Sequence, residues 1–446
     1  MSLRWWDQFQ PIAPFEKKLF ADFATQPGGA HVDYTVQNPA TVGQELQLAF
    51  QSKQLPDVYT LAGVGLPTPV LKDAGWFQPI TLDDAHRKML PAGALIEGAN
   101  VFDGKVYSFP IQSSRAYDAL VWFNTDLLKK ANLDPQQLPV SYDDIRATAR
   151  AIQKTGDASG WVAPLKLTDR LASQITQMAL AAGSPASLSG ISFKTGEYVY
   201  DSDEFVNAIE FWAAMKQDGS MFPSSTSLDA RTARARWSTG VAGMWMDGSY
   251  NVGVLKQSFA AFLPKVAVGS IPVASSDASV SISAASNNPG SSFWIAASCQ
   301  HPDVASRLIS KFATDDVQQG IAEAMDAPPL NSAAVQKANV EPIYRTAIGF
   351  FGKQVFLGPD PVIRNPDVAK ANAKLKPVTP DLGEVVAGAV TGDIADWKGA
   401  LRTLTAAYES AREAAIKAAG VKLTPADWAF PDWKPGKDYI TKPIKG

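Results

Sequence analysis

Residues 103–128, DGKVYSFPIQSSRAYDALVWFNTDLL, decide the fold. Asp103-Gly104 is a tight-turn dipeptide between two apolar runs and reads as a hairpin. Lys105–Phe109 follows as a strand ended by Pro110, and a polar break runs from Gln112 to Arg115. A second apolar run, Tyr117–Phe123, leads to Asn124, whose side chain suits the cap of a helix over Thr125–Lys130. The order is hairpin, polar crossing, buried strand, capped helix.

Upstream, helix and strand signals alternate. Phe15, Leu19, Phe20 and Phe23 fall at helical spacing in Pro14–Ala24, Val32–Val36 reads as a strand, and Thr41–Ser52 is amphipathic with Val42, Leu46, Ala49 and Phe50 on one side. Leu55–Tyr59 begins a short buried strand. Such alternation argues for an α/β fold, a sheet covered by helices. Downstream, Ser141 with Asp144 is a variant of the capping box. Asp201 with Glu204 has the form of an Asp-led box opening Phe205–Met215, where Phe205, Ile209 and Trp212 share a face. Gly219 suits the left-handed position that ends that helix. Lys265–Ala274 and Phe293–Ala297 read as strands, and a helix starting at His301-Pro302-Asp303 points Ala305, Leu308, Ile309 and Phe312 inward. The tail, Pro425–Gly446, is rich in proline and aromatics.

At 446 residues the chain is long for one core, which favours two domains. The net charge is −3 and no basic block stands out, which argues against nucleic acid or an anionic membrane as partner. No apolar run approaches the roughly 18 residues of a membrane span. Cys299 is the only cysteine, so neither an internal disulfide nor a thiolate metal cluster can form; a small buried side chain is its expected role. Met1-Ser2-Leu3 runs directly into Arg4-Trp5-Trp6-Asp7, read as a first strand, with no signal peptide before it.

Polar breaks near 111–116, 270–290 and 326–331 divide the chain into alternating parts of two lobes. This pattern resembles the extracellular solute-binding proteins of ABC importers, family 1, the maltose-binding-protein-like group. The resemblance rests on the hairpin Asp103-Gly104-Lys105 with Tyr107 and Pro110, on Phe123-Asn124 where the family has Tyr-Asn, and on Pro56-Asp57-Val58. It continues in GVAGMWMDGSY at Gly240–Tyr250, in Phe293–Gly320, and in the Pro328-Pro329-Leu330 turn. Tyr250 in place of the usual Trp and a longer tail are departures. The resemblance implies a type II periplasmic-binding-protein-like fold with three hinge crossings. An N-terminal lobe would span 1–113 and 275–328, a C-terminal lobe 114–274 and 329–424, and a tail 425–446. It implies a monomeric, extracytoplasmic sugar receptor, periplasmic or lipid-anchored, that hands its ligand to an ABC permease, its export segment missing from this sequence. A native cytoplasmic start is the alternative.

The search for chemistry supports binding over catalysis. His31, His86 and His301 lack metal-ligand spacing, Gly63-Val64-Gly65 is a lone GxG, and no nucleophile elbow or phosphate loop occurs. No metal and no cofactor is expected. Paired carboxylates of a carbohydrate hydrolase or lyase remain the alternative, since their separation is invisible in sequence. Aromatic side chains are plentiful (12 Trp, 11 Tyr, 21 Phe), enough to supply both a core and flat surfaces for sugar rings. Trp5 and Trp6 face opposite sides of a strand, so one can reach a cleft. Placed on the resemblance, Trp6, Asp7, Gln10, Ala62 and Gly63 line the cleft from the first lobe. Gln112, Ser113 and Arg115 do so from the first crossing, and Trp245, Asp247 and Tyr250 from the second lobe, with Tyr250 at the family's stacking position. Arg115 has the geometry for a sugar carboxylate, but a structural salt bridge is the reading preferred for it.

Overall fold

The computed structural model describes residues 1–442 apart from Ala40, Ala92, Ser286 and Asn287; part of the polar stretch 275–292 and the last four residues of the tail therefore lie outside the described residues. Fourteen strands occur among them: β1 (Ser2–Asp7), β2 (His31–Val36), β3 (Val58–Tyr59), β4 (Phe77–Gln78), β5 (Val101–Phe102), β6 (Lys105–Val106), β7 (Ser108–Pro110), β8 (Leu120–Asn124), β9 (Ser159–Trp161), β10 (Ala242–Asp247), β11 (Val266–Gly269), β12 (Ile282–Ala284), β13 (Ser292–Ala296) and β14 (Val355–Leu357).

The first sheet has the order β2-β1-β3-β13-β4, with β7 also on β13. β1 runs parallel to β2 and β3, so helices must carry the chain back across the sheet between them, and the carboxyl ends of all three open on one edge. Along β1 the period of two is plain: Leu3, Trp5 and Asp7 are buried while Ser2 and Arg4 are exposed. Trp5 fills the core between Phe20, Phe293 and Phe312, with ring centroids 4.8, 4.6 and 6.1 Å away. Trp6 points the other way and is only partly buried, as the alternation requires.

The second sheet has the order β11-β8-β10-β9. Every residue of β8 and β10 is buried, because helices cover both faces. Trp122, Trp161, Trp212, Trp237 and Trp245 all lie in this second core. Each such ring removes roughly 150–250 Å² from water, which makes these side chains the main source of cohesion in the lobe.

The opening stretch folds largely as its turn chemistry dictates. β5 and β6 form the hairpin, with Asp103 (φ 52°) and Gly104 (φ 71°) both left-handed at the turn. A kink at Tyr107 splits the expected single strand into β6 and β7, and Tyr107 N–H donates to Asn100 O instead (2.9 Å). The Asn124 side chain accepts from the backbone N–H of Asp126 (3.0 Å) and Leu127 (3.3 Å), capping helix Thr125–Lys130. The Asp201 box does not form. The helix starts at Asp203 with Ser202 at its cap, and Asp201 Oδ1 accepts from the Thr405 hydroxyl (3.0 Å). A tertiary partner has drawn Asp201 away from the helix end.

Beyond residue 275 the chain still packs against the second core. β12 pairs with β14, and Ile282 and Ala284 are buried in the second core; Ser291 and β13 then join the first. Residues 111–113 and 328–330 pass side by side, with Ser113 N–H donating to Pro328 O (2.9 Å) and Leu330 N–H to Ile111 O (3.1 Å). Cys299 is buried, and burial pushes its thiol up to about 12.

Replacing Asn124 by Ala removes the acceptor of two helix N–H groups. Stability should fall by about 1 kcal/mol, within a range of about 0.5–2, measured by urea denaturation. An unchanged midpoint would show that the cap contributes nothing.

Candidate functional site

Ligands of open α/β folds sit outside the carboxyl ends of parallel strands, where loops diverge and backbone groups are free to bind. In the first lobe that edge is formed by the loops after β1 and β3. The Gln8 side chain ties them together: its amide donates to Gly290 O (2.7 Å), and its oxygen accepts from the Thr60 hydroxyl (2.6 Å). Gln10 and Ala62 are partly buried beside them and Gly63 is exposed with φ +69°. A Cβ on Gly43, in the first turn of helix Val42–Gln51, would lie 2.0 Å from Gly63 O, so glycine is required where that helix meets the loop after β3. Across from this edge, the Gln257 side chain donates to Pro11 O (2.9 Å), bringing the helix after β10 against the loop after β1.

Asp7, a sequence candidate for ligand contact, is instead fully buried. Its Oδ2 accepts from the Trp5 indole N–H (3.2 Å), and its Oδ1 accepts from Phe9 N–H (3.0 Å) and the Tyr34 hydroxyl (2.9 Å). The same hydroxyl lies 2.6 Å from Glu16 Oε2. A hydroxyl carries one proton, so both contacts are hydrogen bonds only if a carboxyl supplies a second one. Burial is the main cause that pushes Asp7 up to about 6; it also raises Glu16 well above the usual carboxylate range, with the Asp7 charge adding to it. Asp326, buried on the segment that leaves the first lobe, is raised to about 7, first by burial and also by Asp7. Sequence reading missed Glu16 because it treated that face of the helix as apolar. Its one signal was a carboxylate one turn before Phe20 on the buried face.

In the second lobe the site is built at the carboxyl end of β10. Asp247 is 1% exposed, and Arg234 holds its Oδ2 with Nε (2.9 Å) and Nη2 (2.6 Å). Arg170 reaches Asp118 Oδ2 at 2.8 Å, Asp247 Oδ1 at 3.4 Å and the Tyr250 hydroxyl. Burial opposes the Arg170 charge, but Tyr250, Asp118 and Asp247 more than offset it and hold its pKa above the ordinary value. The Tyr250 ring is partly buried, with the Arg170 and Arg234 guanidinium carbons 5.7 and 5.5 Å from its centroid. Two guanidiniums and two carboxylates thus balance around one aromatic ring. Asp247 supports this arrangement from beneath, and so does Trp245, fully buried against Trp237 (6.0 Å); neither presents a surface. Both side chains are buried because β10 is covered on both faces.

The remaining candidates divide. Gln112 is buried and bridges to Pro329, whereas Ser113 is partly buried. Arg115 donates to both oxygens of Asp438 (2.7 and 2.6 Å) and to Val355 O (3.2 Å), so it forms a structural ion pair. Asp118, Arg170 and Arg234 were missed. Arg234 stands three residues before Trp237 on the inner face of its helix, a spacing that could have exposed it; Arg170 and Asp118 had no local signal. Surface grooves of about 600 and 780 Å³ are lined by none of the candidate residues.

Two lobes, each a sheet flanked by helices and joined by paired crossings, define a type II periplasmic-binding-protein-like fold. The family described as bacterial extracellular solute-binding protein matches residues 6–319, and the chain belongs to it. Its members are receptors rather than enzymes. Similar solved structures include RafE in complex with raffinose (TM-score 0.68, 14% identity, covering 92% of this chain and 100% of that one). A solute-binding protein of Thermotoga lettingae bound with α-D-tagatose is also similar (TM-score 0.68, 17% identity, 92% and 99%), as is the GacH receptor of Streptomyces glaucescens (TM-score 0.67, 14% identity, 92% and 98%). No curated protein matches the sequence. No helix among the described residues is long and apolar enough to cross a membrane.

The native Asp7–Glu16–Asp326 cluster retains protons that the unfolded chain, with ordinary carboxyl pKa values, has already released. Stability contributed by such raised groups is present at low pH and is lost as pH rises from about 4 to about 7. Urea denaturation at a series of pH values should show this fall, and Glu16→Gln, which mimics the protonated acid, should flatten it. A pH profile identical to wild type would exclude a proton on Glu16.

Proposed function

We propose that this protein captures a sugar or oligosaccharide between its lobes and presents it to the membrane permease of an ABC importer. The lobes would comprise roughly 1–113 with 289–325, and 114–285 with 326–424, and would close on the ligand by rotation about the crossings. The observation that carries this reading is the partly buried ring of Tyr250, flanked by charge-balanced arginines and Asp118 and placed near the loop after β1. An aromatic face suits the C–H surface of a pyranose, and the surrounding charged groups are strong hydrogen-bond partners for hydroxyls. From the first lobe, Trp6, Gln10, Ala62 and Gly63 would complete the contacts, with Ser113 at the crossing. Asp7, Trp245 and Asp247 are proposed as supports, and Gln112 as a crossing residue. Solved relatives of the same fold carry raffinose or tagatose, which favours a carbohydrate as ligand. The ligand must bind the closed form better than the open one, or closure carries no signal to the permease.

Isothermal titration against a panel of mono- and oligosaccharides is the direct test. At least one should bind, and Tyr250→Ala should weaken that binding by about 10- to 100-fold, as expected for a central aromatic anchor. Binding by no sugar would refute the reading, and an unchanged affinity in Tyr250→Ala would remove that ring from the site.

A further inference from the structure

The C-terminal tail makes contacts that neither sheet requires. After helix Trp397–Ala419 ends at left-handed Gly420, the chain crosses the second lobe, and Arg364 gathers it by donating to Ala429 O (2.6 Å) and Ala426 O (2.9 Å). Phe430 and Trp433 then bury against Phe193 as a small third core. Beyond that core the tail reaches the crossings. Gly436 N–H donates to the Ser281 hydroxyl (2.6 Å), just before β12, and Tyr439 N–H donates to Leu357 O (2.9 Å) on β14. Asp438 takes Leu357 N–H on Oδ1 (3.0 Å) and both Arg115 nitrogens.

Arg115 lies on the first crossing. Ile111, four residues earlier, is fixed to the first lobe by its N–H bond to Ser291 O (3.0 Å). With Arg115 held, only residues 112–114 are left to absorb a rotation. Without it the next anchor on the second lobe is Tyr117, whose hydroxyl donates to Gln354 (2.6 Å) and whose ring packs on Phe351 (4.7 Å). Releasing the pair leaves Arg115 only its single bond to Val355 O (3.2 Å) and so loosens the pivot toward residues 112–116. A longer pivot samples more orientations of the two lobes, and each must be surrendered when they close.

We propose that the tail is a strap that fixes the pivot of lobe closure, with Arg115 and Asp438 as positioning residues acting on ligand affinity from outside the cleft. The regulation of ligand capture rests on the reading given above, whereas the geometry of the pivot does not. The bidentate guanidinium–carboxylate pair gives the strap a defined orientation, and the Arg115 hydrogen bonds hold the Asp438 carboxyl below its usual range. Both side chains are more than a third exposed, so the pair is open to screening by salt.

The test uses the full chain and two readouts. Spin labels on cysteines placed at Leu48 and Leu188, both exposed and on opposite lobes, report the spread of inter-lobe distances without any ligand; Cys299 is buried and stays unlabelled. Asp438→Asn and Arg115→Gln should each broaden that distribution, and the double variant should broaden it no further, since the two residues act as a unit. For a sugar that the wild type binds, each variant should raise Kd about five-fold or more, and added salt should weaken the wild type more than the variants. Unchanged distance distributions in both single variants would overturn the strap. So would lower thermal stability with unchanged Kd and salt dependence, which would make the tail packing alone. Failure of the wild type to bind any sugar would instead refute the functional reading and leave the distance measurement to decide the strap.

Discussion

Two passes of chain, 111–113 and 328–330, are hydrogen-bonded to each other where they run between the cores, and the relative placement of everything else depends on that pairing. Neither lobe is a continuous piece of sequence, so each is completed only when the chain has crossed and returned. Hydrogen bonds between the crossings fix their register and leave little room for the lobes to slide. The loops after β1 and β3 and the end of β10 are brought to one region by this constraint, although most of their contacts are made within their own lobe.

Charge is handled differently on the two sides of that region. In the second lobe, Asp118 and Asp247 offset Arg170 and Arg234, so a desolvated group finds an opposite charge beside it. On the other side, Asp7 and Glu16 of the first lobe and Asp326 on the segment beside them have no such cation within bonding distance among the described residues, and burial raises their carboxyl pKa values instead. The first arrangement leaves a polar, electrically balanced surface around Tyr250. The second makes the base of the first lobe respond to pH.

Much of the scaffold was legible because the signals that shape it are local. The Asp103-Gly104 turn, the Asn124 cap, the left-handed Gly219 and the alternating burial of β1 each depend on neighbours within a few residues. Local signals failed where a distant partner competed, as when Thr405 took Asp201 from its helix end. The candidate site was legible only in part. Loop positions such as Gln10 and Ala62 came from the family resemblance, and the burial of Trp245 and Asp247 under helices on both faces of β10 had no local signal.

By itself the sequence determined the α/β class and most of the residues that end helices and strands, since period and turn chemistry act over short spans. The tertiary structure alone decided which charges neutralise one another. A structural salt bridge was the reading preferred for Arg115, but only the folded chain brings it to its partner, Asp438, 323 residues away. Pairing of that kind depends on where folded elements come to rest, and no local pattern of residues encodes it.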